Sequence, residues 1–419
     1  MSLDPERQPL LPEIGLIGLV PDTWQSQWQP RHQVLVRLAK YFNIVWVSPA
    51  PFWRNALSAR AAEKQSKFEY DLPPGFILNK HKLWLPRFHK PRWLAETTAR
   101  LRLAATRQQL IDRHCKSVLL YLWRPEYHEA LQQVAHDHAF YHIDDEYSFS
   151  SVETPVSPEE TKLITESDAV IIHSPALLEK KGHLNPSTYF VPNGVDFVLY
   201  SQPIPEPPDI AAIKHPRIGY TGNVKKQLDW DLITGLVEKH PEWSFVFVGQ
   251  IMAHPGLQEI VERLSSRKNV HFLGGKSVTA LAAYPQHFDV CIMPYCNDNY
   301  TKFIYPLKLH EYLGGGQPVV GTRIRSLEDF EDSITLATNI EEWSAGITAA
   351  LSTQAASQQM RDARQAVARQ HDWDLLVLRI ARIMIEHMDS ISSTQRKEYL
   401  AKLQHAEVHS KGPVTTDKR

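Results

Sequence analysis

Lys308 and Glu311 stand three residues apart in the stretch YPLKLHEYLGGGQPVVGT, residues 305–322. Pro306 favours the first turn of a helix, so this spacing puts both side chains on one face of its opening turns. A lysine there suits a diphosphate, because its ammonium adds to the free N–H groups and the positive end of the helix dipole. A carboxylate one turn on can accept two hydrogen bonds from a ribose diol. Gly314, Gly315 and Gly316 then end the helix and permit close backbone approach before the apolar run PVVGT. The bland alternative is an i,i+3 ion pair on a surface helix that happens to end in glycine, and spacing alone leaves both readings open.

The scaffold that would hold such a pair is visible in the alternation of short apolar runs with amphipathic stretches. GLIGLV (15–20), NIVWVSP (43–49), SVLLYLW (117–123), AFYHID (139–144), AVIIHS (169–174) and TYFVPN (188–193) read as strands, with a helix over 31–41 after Pro30. The Pro-rich SQPIPEPPDI (201–210) reads as a linker and hinge. Strands resume with RIGYTG (217–222), SFVFVG (244–249), VHFLG (270–274), FDVCIMPY (288–295) and PVVGT (318–322). Runs of this continuous, β-branched kind are buried on both faces, which predicts parallel sheets covered by helices. The fold class expected is α/β, with two Rossmann-like doubly wound domains facing a cleft, over 1–203 and 204–372. Beyond 339 the pattern is helical, with an amphipathic segment over 373–393 and a polar tail, loose at its end, over 394–419.

The chain has 419 residues, 43% of them hydrophobic, and a formal charge of −1. That is enough for two cores and too neutral for a general nucleic-acid binder. Cys115, Cys291 and Cys296 are odd in number and scattered, with neither disulfide nor zinc spacing, which points to a reducing compartment. The opening MSLDPERQPLLPE has no basic-then-apolar leader pattern, and no run reaches the ~18 apolar residues of a membrane span. The location expected is cytoplasmic. A dehydrogenase fits poorly, since G-x-G-x-x-G follows neither first strand.

Pro306-x-Lys308-x-x-Glu311, followed by Gly316-x-Pro318-Val319-Val320, resembles the donor-binding signature of GT-B glycosyltransferases, in particular family 4. VPNGVD (191–196) and GYTGN (219–223) are similar to two further hallmarks of those enzymes, in the same order. The N-terminal half is similar to teichuronic-acid-type and xanthan-type glucuronosyltransferases in Trp24…Trp28…Arg31-His32-Gln33, in HIDDEYSF (142–149), and in Glu166 with Asp168. The resemblance, over roughly 14–390, implies that Lys308 binds the donor phosphates and Glu311 the nucleotide ribose, with Tyr305, Pro306 and Leu307 alongside. It implies that the Gly222-Asn223 turn approaches phosphate, that Lys226 is a second phosphate ligand, and that backbone around Gly275 and Lys276 reads the base. It also implies that the 373–393 helix crosses back to the first domain. The sequence departs from the family at Phe303, where retaining enzymes commonly have a glutamate, and at Asn223, where they have an arginine.

The chemistry expected is transfer of a sugar from a UDP- or GDP-sugar to a glycan or lipid-linked acceptor, in cell-surface or exopolysaccharide assembly. No metal or other cofactor is expected: cations and a helix N-terminus would stabilise the leaving diphosphate. Asp144 or Asp145, at the end of a central strand, is the candidate base, with turn capping as the alternative. His32 and His173 are weaker candidates, and Arg31 with His32 is the candidate acceptor site. From Lys80 to Arg107 eight Lys/Arg face a single acid, Glu96. The stretch NKHKLWLPRFHKPRW (79–93) mixes those cations with aromatics, which suits a peripheral contact with anionic lipid on the inner face of the plasma membrane, worth roughly 1 kcal/mol per cation. Two other readings stand beside this one: a catalytically silent nucleotide- or glycan-binding protein, suggested by Phe303 and Asn223, and more distantly a sugar-nucleotide epimerase.

Overall fold

The computed structural model describes residues 8–55, 72–80, 84–148 and 152–410. Two wholly parallel sheets organise it. The first holds β1 (Ile14–Leu19), β2 (Asn43–Val47), β3 (Phe76–Leu78), β4 (Ser117–Leu122), β5 (His138–Ile143), β6 (Ala169–Ile172) and β7 (Thr188–Phe190), in the order β3-β2-β1-β4-β5-β6-β7. The second holds β8 (Arg217–Thr221), β9 (Ser244–Val248), β10 (Val270–Phe272), β11 (Val290–Met293), β12 (Val319–Thr322) and β13 (Thr335–Ala337), in the order β10-β9-β8-β11-β12-β13. Each order reverses beside the first strand of its sheet. At such a switch point the loops leaving neighbouring carboxyl ends diverge and open a crevice. The crevices therefore lie at β1/β4 and β8/β11.

Apolar continuity explains the strands, since every residue of β1, β5, β8 and β9 is buried. The expected strands all form, most of them trimmed, with β1 and β5 starting one residue earlier than expected. Two short edge strands of three residues each, β3 and β13, go beyond that expectation.

The junction between the sheets is not the Pro-rich segment. Val195, Phe197, Tyr200 and Ile210 are already buried in the core of the second unit. The Gln286 side chain donates to the carbonyls of Tyr200 and Gln202, at 2.9 Å each, and accepts from the Ile204 N–H at 3.2 Å. The prolines thus lie along that unit's surface, where Gln286 ties down the backbone of their neighbours. The chain crosses between units at Asn193–Asp196 and again at His371–Trp373, and the two crossings pair: Val195 N–H donates to the His371 carbonyl at 3.0 Å, and Trp373 N–H to the Val195 carbonyl at 2.9 Å.

After the second crossing the helix Trp373–Glu386 lies against the first sheet, where Trp373, Leu376, Val377, Ile380 and Met384 share one core with Leu16, Leu35 and Trp46. The segment expected as a polar tail is ordered as far as Ser410. It forms a helix, Ser393–Ser410, seated through Tyr399 and Leu403, the latter fully buried. Leu400 and Ala406 pack against the same core less deeply, and most of the other residues are polar, so the sequence of this helix reads as polar. Residues 411–419 lie outside the described residues. Leu403→Ala should cost about 2–5 kcal/mol, the range for a buried leucine truncation. A urea unfolding midpoint unchanged from wild type would show that this helix is not docked.

Candidate functional site

The site is built from the second switch point upward. β8 ends at Thr221, and Gly222 turns the chain with φ +106°, a backbone region that favours glycine. A Cβ at Gly222 would stand 2.6 Å from Lys308 Cε and 2.7 Å from its Nζ, so the lysine head occupies the space this glycine leaves. Gly249, just past β9, backs the same turn: a Cβ there would meet the Gly222 carbonyl oxygen at 2.0 Å. The Lys308 ammonium also lies 5.1 Å from the centre of the Tyr220 ring. Burial opposes its charge, but Tyr295, Tyr312 and Glu311 outweigh that and hold its pKa above the ordinary lysine value.

Lys308 and Glu311 lie in the helix Leu307–Gly314, with Pro306 as its N-cap rather than its first residue. Burial pushes the Glu311 carboxyl up, with Lys308 and a hydrogen bond from the Tyr200 hydroxyl acting against it. Gly316, at φ +77°, completes the turn into β12. Leu307 packs against the first domain's core. The Tyr305 carbonyl accepts from the Asn193 side chain at 3.0 Å, and its hydroxyl meets His310 Nε2 at 2.9 Å. Tyr305 therefore ties this helix to the crossing segment.

Across the crevice, β5 delivers the two adjacent aspartates into different surroundings. Asp144 is bound by the Arg31 guanidinium and by the Tyr147 hydroxyl at 2.8 Å, with its side chain 5% exposed. Arg31 is also paired with Asp22. Asp145 has no such cation: its Oδ1 accepts from the Glu146 N–H at 2.8 Å. Burial, reinforced by Asp144, pushes Asp145 up to about 6, with Arg124 and Lys225 tempering the rise.

Lys225 was not among the sequence candidates. Burial and repulsion from Lys308 pull it down to about 8, with Asp145 acting the other way. It thus lies within electrostatic reach of groups on both walls. Lys226, the residue selected from the family spacing, is exposed instead. The backbone sets this phase: Val224, fully buried, bridges to Ile251, so the next residue turns into the crevice. The only sequence signal would have been the buried valine immediately before it.

Other candidates are placed elsewhere. Asn223 does not wait for phosphate alone: its side chain exchanges hydrogen bonds with Gln27 of the first domain, at 3.0 and 3.4 Å. His32 is a core residue, not an acceptor ligand. It is fully buried among Trp24, Trp28 and Trp46, its Nδ1 accepts from the Gln29 N–H at 3.1 Å, and burial pulls its pKa down to about 4. His173 is buried as well and donates from Nδ1 to the Ile143 carbonyl at 3.0 Å. Lys276 is paired with Asp209 at 2.7 Å and Gly275 is exposed, so neither is drawn into the Lys308 cluster. Glu166 and Asp168 precede β6, at the amino ends of the strands and away from the crevice. Phe303 is 2% exposed and sits in the first domain's core with Lys180 5.1 Å from its ring centre. Among the described residues no group of three or more His, Cys, Asp or Glu is placed to hold a metal ion.

Comparison with known proteins accords with this geometry. Residues 215–353, which contain the Gly222 turn, Lys225, Lys308 and Glu311, match the family "Glycosyl transferases group 1". A glycosyltransferase from Rickettsia africae superposes with a TM-score of 0.62 at 13% identity, covering 90% of this chain and 99% of that one. The fold is GT-B. A trehalose-6-phosphate protein of E. coli bound with UDP-2-fluoro glucose gives a TM-score of 0.59 at 12% identity, over 90% of this chain and 99% of that one. The lipopolysaccharide outer core galactosyltransferase WaaB gives 0.58 at 12% identity, over 89% and 99%. In sequence, the chain is 27% identical over 198 residues to TuaH of Bacillus subtilis, assigned as a teichuronic acid biosynthesis glycosyltransferase. That match spans 46% of this chain and about half (49%) of the relative. The resemblance to family 4 read from the motifs is thus supported by family, relative and fold.

The raised Asp145 pKa has a signed consequence for stability. Its folded value of about 6 exceeds the ordinary 3.8, so the folded state holds this proton more tightly than the unfolded chain. Stability is therefore lost as pH rises from about 4 to about 6. Asp145→Asn should remove that loss and stabilise the protein by ~2 kcal/mol at pH 7 relative to pH 4. Thermal melts across this range check it, and parallel pH profiles for variant and wild type would refute it.

Proposed function

We propose that this chain is a metal-independent glycosyltransferase, moving a hexosyl or glucuronosyl group from a UDP- or GDP-sugar to a glycan or lipid-linked acceptor in cell-surface polysaccharide assembly. The observation that carries this reading is Lys308 seated in the Gly222 turn, with a Tyr200-bound Glu311 one helical turn on. The diphosphate lies against Lys308, Lys225 and the free N–H groups that open the helix. The ribose diol donates to Glu311. The acceptor enters from the first domain's wall, and Asp145 takes the proton from its hydroxyl as the oxygen attacks the anomeric carbon. The bond from that carbon to the diphosphate oxygen breaks, and the negative charge that develops there is met by the two lysines. Asp144, neutralised by Arg31, positions the turn and leaves its neighbour to act. The second reading, a silent nucleotide- or glycan-binding protein, is favoured by one observation, the apolar Phe303 where retaining relatives carry a carboxylate.

Thermal-shift titration with UDP, GDP, ADP, CMP and their sugars tests the donor site. One diphosphate should stabilise the wild type. Lys308→Ala and Glu311→Ala should abolish that shift, and Lys225→Met should weaken binding about tenfold, roughly the worth of one charge-assisted contact. Lys226→Met should bind as wild type. No shift with any nucleotide in the folded protein would sink the transferase reading and leave a silent glycan-binding protein.

Release of nucleotide diphosphate in the presence of acceptor then separates transferase from silent binder. The rate should rise through pH about 6 as Asp145 ionises and fall above about 8 as Lys225 loses its proton. Asp145→Asn should lower it about 10²–10⁴-fold, the usual worth of a general base, with nucleotide binding retained. Nucleotide binding without release would establish the silent protein.

A further inference from the structure

Outside the crevice, the largest exposed aromatic side chains gather at one edge of the first sheet. Trp53, Trp84 and Trp93 are 55%, 68% and 66% exposed. They come from three segments: the loop leaving β2, the loop leaving β3, and the first turn of the helix Arg92–Ile111. The backbone holds these segments together. Trp53 N–H donates to the Arg87 carbonyl at 3.1 Å and Arg87 N–H to the Pro51 carbonyl at 2.9 Å. Arg102, from the helix, donates to the Leu85 and Pro86 carbonyls at 3.2 and 2.8 Å.

Exposed cations surround the aromatics: Arg54, Lys80, Arg87, Lys90, Arg92 and Arg100. Arg54 lies 5.1 Å from the centre of the Trp53 ring, and Arg87 5.1 Å from that of Phe52. Glu96 is paired with Arg92 and is the one acid from Asn79 to Arg107. One helical face carries Trp93, Arg100 and Leu101, the last 46% exposed. Large exposed aromatics among cations of one sign suit a surface that is anionic outside and apolar within, since indole rings settle at a bilayer interface and cations meet its headgroups. A soluble polyanion would satisfy the cations but not the three indoles.

We infer that Trp53, Trp84 and Trp93, with Arg54, Lys80, Arg87, Lys90 and Arg100, form a docking surface for an anionic lipid bilayer. The sequence alone marked the basic run from Lys80 to Arg107 and, within 79–93, its aromatics. The structure adds Trp53 and Arg54 from the β2 loop and Leu101 from the helix, and it shows where the surface lies. Part of the 79–93 stretch, 81–83, lies outside the described residues. Both loops leave carboxyl ends of the first sheet, the same edge that opens on the crevice. The bilayer would thus meet the acceptor side of the cleft. The assignment concerns where the protein sits and does not require the transferase reading.

Co-sedimentation of the full chain with vesicles tests it without any activity assay. Vesicles of 70% phosphatidylcholine and 30% phosphatidylglycerol should retain the wild type, and pure phosphatidylcholine vesicles should not. Lys90→Glu/Arg100→Glu should lower retention at least tenfold, taking ~1 kcal/mol for each cation lost near an anionic surface. Trp84→Ser/Trp93→Ser should lower it comparably at unchanged charge, and because both indoles are largely exposed the variant keeps the wild-type melting temperature. Retention unaffected by either pair of substitutions would overturn the assignment. So would equal retention on neutral vesicles, or binding to heparin that survives the tryptophan substitutions while vesicles are ignored.

Discussion

The cleft rests on a pair of backbone crossings that hydrogen-bond to each other. Val195 and His371–Trp373 run side by side, and a Cβ on Gly194 would stand 2.6 Å from the His371 carbonyl oxygen, so only glycine lets them approach this closely. Arg37, 3% exposed, reaches from the first domain to Asp196 on one crossing, at 3.2 Å, and to Asp374 just past the other, at 3.0 Å. Two sheets joined by one flexible linker would sample many orientations. Two paired crossings clamped by a buried guanidinium leave mainly a hinge, with rotation at a few element-terminal residues. Asn193 carries this outward, since its side chain donates to the carbonyl of Tyr305, three residues before Lys308. The donor helix is thereby positioned by the same segment that sets the angle between the domains.

Electrostatics at the cleft follow from what the hinge brings together. Lys225 and Lys308 repel each other in a partly desolvated place, and the protein bears that cost in a depressed lysine. A diphosphate between them would relieve it, which is how binding sites commonly hold unfavourable charge until the ligand arrives. The opposite wall treats like charges differently. Asp144 and Asp145 are adjacent, and one guanidinium neutralises only the first.

How much of this was legible in the sequence depended on how local each determinant is. Buried parallel strands announce themselves as continuous apolar runs, so β1 and β8 were visible, whereas the edge strands β3 and β13, half-buried or partly exposed, were not. Lys308 and Glu311 were legible because helical spacing and a glycine stop are local signals. The choice between Lys225 and Lys226 was not, because the Val224–Ile251 bridge fixes which of them faces inward. His32 looked like a ligand beside Arg31, yet its partner Trp46 arrives from the next strand and closes an aromatic core over it. The two aspartates were indistinguishable until Arg31, 113 residues away, was seen to hold only one. The prolines of 201–210 suggested a hinge because proline breaks regular elements, but Tyr200 and Ile210 anchor both sides of that run in one core.

Phe303 bears most directly on the course of the proposed reaction. Its ring is buried with Tyr141, Leu163 and Leu177 of the first domain, under Lys180, so no carboxylate can act from that position. On the wall facing Lys308, the carboxyl within electrostatic reach of Lys225 is Asp145, just past the end of β5. With the anomeric carbon held between the diphosphate and that wall, as the proposed mechanism requires, a base there would take the acceptor's proton on the face away from the leaving group. Attack from that face would displace the leaving group in line and invert the configuration. In the proposed mechanism inversion is therefore a consequence of which domain supplies the carboxylate: Phe303 removes it from the donor side, and Arg31, by occupying Asp144, leaves Asp145 on the acceptor side with a pKa suited to a base near neutral pH.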